Sequence, residues 1–139
     1  MDTTIQRSKD IIYDGDNEIL VKRIEVTKKI LRETCIPANF VGYKYIGEAL
    51  LCMLQNKEIT FISEIYRKIA IYHNTSPNSV EVSINNAIKR AVEISESSVR
   101  KVLKISSSVK ITNSVFLNTA KEIIYEEVIK LWSRPKDVV

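Results

Sequence analysis

The stretch ISEIYRKIAIYHNTSPNSVEVSINNAIKRAV, residues 62–92, decides the fold of this chain. Apolar residues in its first part recur three and four apart, which is typical of one face of a helix: Ile62, Ile65, Ile69 and Tyr72. Ser76-Pro77 then supplies an N-cap and a proline at the first helical position, where the missing N–H is tolerated. The second helix has one apolar face that we expect to be buried: Val80, Ile84, Ala87, Ile88 and Ala91. Two helices joined by a short polar turn are the pattern of a helix-turn-helix.

The residues upstream of this unit predict two more helices. The first begins after an N-cap at Asp16 or Asn17 and ends at Ile36-Pro37, because the residue before a proline avoids the helical region. The second begins at Gly42 and ends at the break Asn56-Lys57. The buried positions expected in these two helices lie at helical spacing: Leu20, Ile24, Thr27, Leu31, Ile46, Ala49, Leu50 and Met53.

The residues downstream predict a short helix around 99–103, a loop at 106–108 and a last long helix. Thr112 or Asn113 caps the long helix, and Arg134-Pro135 ends it. Its inner face is expected to contain Phe116, Ala120, Ile123, Ile124, Val128 and Leu131. The predicted fold is therefore all-α, a compact bundle of about six helices. The expected domains are a flexible leader 1–17, a helical domain 18–133 and a tail 134–139.

Composition limits the class of protein. Of the 139 residues, 45% are hydrophobic and 27% are charged, as in an ordinary globular domain. The longest apolar run, residues 49–54, is far shorter than the ~20 residues of a membrane span. The N-terminus lacks the apolar core of a signal peptide, and two cysteines are too few for a disulfide framework. We therefore expect a cytoplasmic protein without a membrane segment.

No residue pattern predicts a catalytic or metal-binding site. His73 is the single histidine and has no Cys or His at ligand spacing, so it is interpreted as a turn residue. Cys52 lies in an apolar segment and is interpreted as a core residue, and Cys35 as inert. Adjacent Glu126 and Glu127 point about 100° apart on a helix, which disfavours a shared acid–base pair. We expect no enzymatic activity, no cofactor and no metal.

Three segments occur in a recognisable order: IPANFVGYKY at 36–45, NTSPNSVEVSINNAI at 74–88 and KITNSVF at 110–116. They resemble the C-terminal effector domain of the stage-zero sporulation protein A family of response regulators. The resemblance covers roughly residues 24 to 130. It implies a six-helix domain that binds double-stranded DNA and regulates transcription, often as tandem subunits on one site. It also implies contact with RNA polymerase sigma factor and a possible homodimer on DNA.

The chain departs from this family in one expected feature, the receiver domain that precedes the effector domain. The leader 1–17 is too short for such a domain. We therefore expect a stand-alone effector domain that is not controlled by a phosphorelay. Asp10, Asp14 and Asp16 are interpreted as turn and cap residues rather than as phosphate acceptors.

The exposed face of the second helix, 76–92, is the predicted DNA-reading surface, and residues 63–72 form its supporting helix. The predicted base-reading residues are Asn78, Ser79, Glu81, Val82, Asn85, Asn86 and Lys89. The predicted contacts to the DNA backbone are Arg67, Lys68, Ser76, Arg100, Lys101 and Lys104. The resembled family has arginines at the positions of Ser79, Val82 and Asn85, and lysines at those of Ile71 and Tyr72.

Two interpretations of these substitutions remain open. Arginine pairs with guanine, whereas asparagine suits adenine and an apolar side chain suits the thymine methyl group, so the domain either reads a more A·T-rich site or has lost DNA binding. In the second case it is an interaction module that modulates the full-length regulator or RNA polymerase. The net charge of +4 permits DNA binding without requiring it.

Overall fold

The computed structural model describes residues 14–56 and 61–133 of the chain. Within these residues all regular secondary structure is helical, which confirms the predicted all-α class. The helices are α1 (Asp14–Glu33), α2 (Val41–Gln55), α3 (Ile62–Tyr72), α4 (Pro77–Leu103) and α5 (Asn113–Ser133).

The predicted count of about six helices differs from the five of the described residues because α4 is bent. Ser95 has φ −162° and ψ 88°, so the helical path is interrupted there. The hydroxyl of Ser95 accepts a hydrogen bond from the backbone N–H of Ser98 at 3.2 Å, which caps the segment that follows. This second segment of α4 is the short helix predicted around residues 99–103.

The ends of the chain differ from the prediction where they are described. Residues 14–17 belong to α1, so the expected turn there and the cap at Asp16 or Asn17 are wrong. The remaining leader residues 1–13, Lys57 and the tail 134–139 with the predicted Pro135 stop lie outside the described residues.

The core is formed by the inner faces of all five helices. Every predicted core position of the α4 face is buried, as are most of those in the other helices. Leu20, Ile24 and Ile123 are half-buried. Two predictions are wrong: Tyr72 is 80% exposed and Leu131 is 37% exposed. Both lie in the last turn or two of their helices, where the apolar spacing continues but the side chain is no longer covered.

Helices α2 and α4 approach each other closely at Gly42. A Cβ atom at this position would overlap the backbone oxygen of Ser83 and would lie 2.7 Å from the Cβ of Ala87. Because only hydrogen fits there, Gly42 sets the distance between α2 and the first segment of α4.

Three helices end in the same motif without glycine. After α1, the N–H of Ile36 donates to the carbonyl of Leu31 at 3.0 Å. Cys35, which precedes Ile36, has a positive φ of 66°. Asn74 after α3 and Lys104 after α4 have φ 54° and 56° and the equivalent backbone hydrogen bonds. These are Schellman motifs, in which glycine is the usual left-handed residue.

Candidate nucleic-acid interface

Helices α3 and α4 and the turn between them form the predicted helix-turn-helix. Ser76 caps α4 as predicted, because its Oγ accepts from the N–H of Ser79 at 3.1 Å, and Pro77 is the first helical residue. The turn is closed by the N–H of Thr75, which donates to the carbonyl of Ala70 at 2.9 Å. The start of α4 is therefore fixed by its own local sequence.

The first segment of α4 has one buried and one exposed face. Val80, Ile84, Ala87 and Ala91 have no exposed surface, whereas Val82 is 47% exposed. All predicted base-reading residues are exposed: Asn78, Ser79, Glu81, Val82, Asn85, Asn86 and Lys89. This face is mostly uncharged, since only Glu81 and Lys89 carry a charge. Besides these two charges it offers three amides, one hydroxyl and one isopropyl group to a partner.

A buried amide connects this face to the start of α5. The Nδ2 of Asn113 donates to the hydroxyl of Tyr66 at 3.2 Å and to the backbone oxygen of Glu81 at 3.1 Å. The Oδ1 of Asn113 accepts from the Nδ2 of Asn85 at 3.4 Å. We call this group the Asn113 hub, and it joins α3, α4 and α5 through a side chain that is 9% exposed.

From the sequence Asn113 is only a possible helix cap, and its contacts with Tyr66, Glu81 and Asn85 were not predicted. Thr112 is the cap instead, because its Oγ1 accepts from the N–H of Val115 at 3.1 Å. The signal available in the sequence was the match of residues 110–116 to the family segment, which could not indicate the partners of Asn113.

Tyr66 enters the hub as a neutral phenol. Burial raises the pKa of the Tyr66 hydroxyl above its ordinary value of 10.0, and the Glu81 carboxylate raises it further, while the hydrogen bond from Asn113 acts in the opposite direction. The hydroxyl therefore keeps its proton near neutral pH and can accept one hydrogen bond while it donates another.

An open cavity of about 610 Å³ lies beside the hub, between α3, the first segment of α4 and the start of α5. All but two of its lining residues have polar side chains: Ile62, Ser63, Tyr66, Glu81, Val82, Asn85, Thr112, Asn113 and Ser114. Three predicted reading residues, Glu81, Val82 and Asn85, thus line the same cavity as hydroxyl side chains of α3 and of the start of α5. Hydroxyls and backbone N–H groups at helix starts are common partners of DNA phosphates.

Most predicted backbone-contacting residues are exposed and available. Arg67 and Lys68 lie on the outer side of α3, and Lys101 and Lys104 lie at the end of α4. Ser76 is exposed, but its hydroxyl already caps α4 and donates to the Oγ of Ser79 at 3.1 Å.

Arg100, a predicted contact to the DNA backbone, has a structural role within the protein. Its Nη1 donates to the carbonyl oxygens of Ser106 and Val109 at 2.6 and 2.7 Å. Its Nε donates to the carboxylate of Glu96 at 2.8 Å, and only 18% of the side chain is exposed. Arg100 thus ties the loop between α4 and α5 to the helix, and we leave it out of the proposed phosphate contacts.

His73, interpreted from the sequence as a turn residue, is the residue that caps α3. Its Nε2 lies 2.7 Å from the Oε1 of Glu48 in α2, and its ring packs 5.2 Å from that of Tyr45. The side chain therefore links the turn to α2. In the described part of the chain, no three His, Cys, Asp or Glu residues are grouped so as to hold a metal ion. None of the helices described here is long and apolar enough to cross a membrane.

Comparisons with known proteins identify the family to which the chain belongs. No solved structure matches the chain at a significant level. The family model described as "Sporulation initiation factor Spo0A C terminal" matches residues 27–124, from the second half of α1 into α5. This family is the DNA-binding, regulatory domain of a sporulation regulator. Because the match covers well over half of the 139 residues, the chain belongs to the family of Spo0A C-terminal domains.

Proposed function

We propose that this chain is a cytoplasmic transcription regulator of sporulation that binds double-stranded DNA in the major groove through the first segment of α4. The observation that carries the proposal is the exposed polar face of this segment, opposite the buried Val80 and Ile84, in a helix-turn-helix of the Spo0A C-terminal family. In such a unit the N-terminal residues of the second helix contact base edges.

The proposed site is richer in A·T pairs than the site of an arginine-bearing reader. Asn85 and Asn86 can each pair with an adenine, and the exposed Val82 can contact a thymine methyl group. No arginine lies among the predicted reading residues between Asn78 and Lys89, so bidentate recognition of guanine is not expected there.

Phosphate contacts are proposed for residues on both sides of the reading helix. Arg67 and Lys68 of α3, Ser76 at the cap, and Lys101 and Lys104 at the end of α4 are the proposed set. Because this set is small, the affinity should depend only moderately on salt, with about three to five phosphates neutralised per subunit.

Family membership supports two further proposed partners, RNA polymerase sigma factor and a second subunit bound on the same DNA. We assign no catalytic activity and no cofactor to the chain.

One observation favours the second candidate function, an interaction module that modulates the full-length regulator or RNA polymerase. Ile71 and Tyr72 are 75% and 80% exposed at the end of α3, where the resembled family has lysines. Neighbouring exposed apolar side chains of this kind are typical of protein contacts. They also remove two positive charges from a position that could face phosphate.

Selection from random duplexes with the purified 139-residue chain tests the two functions. DNA reading predicts enrichment of an A·T-rich motif and affinity that falls between two salt concentrations. The variant Asn85→Arg should shift the enriched base toward guanine at one step. Asn118→Arg, on the exposed surface of α5, is the matched control and should leave the motif unchanged. If neither the wild type nor Asn85→Arg enriches any motif, the interaction module takes the place of DNA reading.

A further inference from the structure

We infer that Asn113 is a positioning residue for base readout: it determines which atoms of the Asn85 amide are presented to the DNA. The inference rests on the proposed DNA-binding function. It concerns a contact that α4 makes with α5, a helix outside the helix-turn-helix, and it assigns a role to the buried side chain of Asn113.

The orientation of the Asn113 amide follows from its partners. A backbone carbonyl only accepts hydrogen bonds, so the amide group that faces the oxygen of Glu81 at 3.1 Å must be the NH2 group. The same nitrogen donates to the hydroxyl of Tyr66 at 3.2 Å. The Oδ1 of Asn113 is consequently directed toward Asn85.

The orientation of Asn85 follows in turn. The atom of Asn85 that lies 3.4 Å from the Oδ1 of Asn113 must be its Nδ2. If the Asn85 amide were flipped, two oxygen acceptors would face each other. One N–H and the Oδ1 of Asn85 then remain free for a ligand. These are the two groups that pair with N7 and N6 of adenine. The hub therefore presents an amide that is already arranged for one base.

The neighbouring Asn86 is a natural contrast. It is equally exposed and has the same side chain, but no hydrogen bond to another described residue holds its amide. Asn86 can rotate and flip, so binding DNA must first order it, which costs side-chain entropy. Asn85 has lost part of that freedom before binding, and we expect it to discriminate more sharply than Asn86.

Base competition at the step read by Asn85 tests the inference. Relative to wild type, Asn85→Ala should lose about 5- to 150-fold of the preference for adenine at that step. Asn113→Ala should lose about 3- to 10-fold at the same step, with the preference at other steps retained. The double variant should equal Asn85→Ala alone, since Asn113 acts through Asn85. Asn118→Ala is the matched control, because it removes an amide of α5 that bonds within its own helix, to the Ser114 oxygen at 2.9 Å.

Asn113→Ala removes a side-chain donor to the Glu81 oxygen and to the Tyr66 hydroxyl and can impair folding, so a measurement on the wild type is added. Side-chain scalar couplings of the free protein should show one χ1 rotamer for Asn85 and averaged rotamers for Asn86. Averaged rotamers at Asn85 would overturn the inference.

The outcomes separate the two proposals. If wild type enriches no motif, the proposed function fails and the inference fails with it. If wild type enriches a motif but a folded Asn113→Ala keeps full discrimination at the Asn85 step, or Asn85→Ala relaxes no step, the inference fails while DNA binding stands.

Discussion

Gly42 in α2 lies against the backbone of Ser83 in α4 so closely that a single methyl group would overlap the Ser83 carbonyl oxygen. Ser83 lies in the segment whose exposed face is the proposed reading surface. The contact therefore connects the packing of the scaffold with the position of the residues that would meet DNA.

Gly42→Ala should destabilise the fold by about 1–3 kcal/mol or more, because the added Cβ meets backbone, which cannot move without displacing a helix. Gly47→Ala in the same helix is the control, since a Cβ there meets only a flexible Leu31 Cδ1 at 3.7 Å. Alanine should stabilise that position by up to about 1 kcal/mol. Urea unfolding of both variants measures the difference, and equal stabilities would refute the tight crossing.

The left-handed residues after α1 and α4 predict stabilising glycine substitutions. Cys35→Gly and Lys104→Gly should each raise the free energy of unfolding by about 1 kcal/mol, because a left-handed conformation is strained for residues with a Cβ. Lys101→Gly, one turn earlier in α4, should instead cost about 1 kcal/mol, because glycine disfavours a helix interior. Thermal denaturation distinguishes these opposite signs. A lower melting temperature for both Cys35→Gly and Lys104→Gly would contradict the assigned motif.

Substitutions of Arg100 and of its lysine neighbours should affect different properties, the former stability and the latter DNA affinity. Arg100→Ala should cost about 1–3 kcal/mol of stability, because it removes the donors of two loop carbonyls. The double variant Lys101→Ala/Lys104→Ala should leave stability nearly unchanged and should lower the salt slope of DNA affinity by up to about two units. Chemical denaturation and salt-dependent gel shifts check the pair. A reduced slope for Arg100→Ala with full stability would reverse the two assignments.

Tyr66 predicts an alkaline loss of stability. Its pKa is raised above the 10.0 of an exposed phenol, so the unfolded chain loses this proton first. Consequently the free energy of unfolding should fall as the pH rises above about 10, and Tyr66 should contribute no such dependence below that pH. The difference in stability between wild type and Tyr66→Phe should shrink from pH 9 to pH 11. Tyr125→Phe, at an exposed site, controls for general alkaline effects, and a constant difference for Tyr66→Phe would disprove the assignment.

How far apart two contacting residues lie in the sequence explains which contacts could be predicted from it. Ser76-Pro77 acts on the next few residues, and the buried face of α4 follows from helical spacing, so both were predictable and are confirmed. The Asn113 hub joins residues 28, 32 and 47 positions apart, and no local pattern encodes such partners. The loop contacts of Arg100 could not be predicted for a related reason: its charge suggested a phosphate contact, whereas its neighbours include two carbonyls of the following loop.

The errors at Tyr72 and Leu131 have a different origin. Spacing at three and four residues marks a face, but it does not indicate where along the helix the covering neighbour ends. Near the ends of α3 and α5 the pattern continues while burial does not. The exposure of Ile71 and Tyr72 is informative in itself, because neighbouring exposed apolar side chains favour a protein partner.

The bend at Ser95 has a geometric consequence for the proposed complex. A straight helix of 27 residues would be about 40 Å long. The major groove is about 12 Å wide and winds around the duplex, so a rigid rod of that length has to leave it. The interruption at Ser95 divides α4 into a first segment that carries the reading side chains and a second segment that continues beyond a kink. Lys101 and Lys104, carried by or just after the second segment, can thus follow the curvature of the sugar-phosphate strand while the reading side chains keep their own alignment with the base pairs.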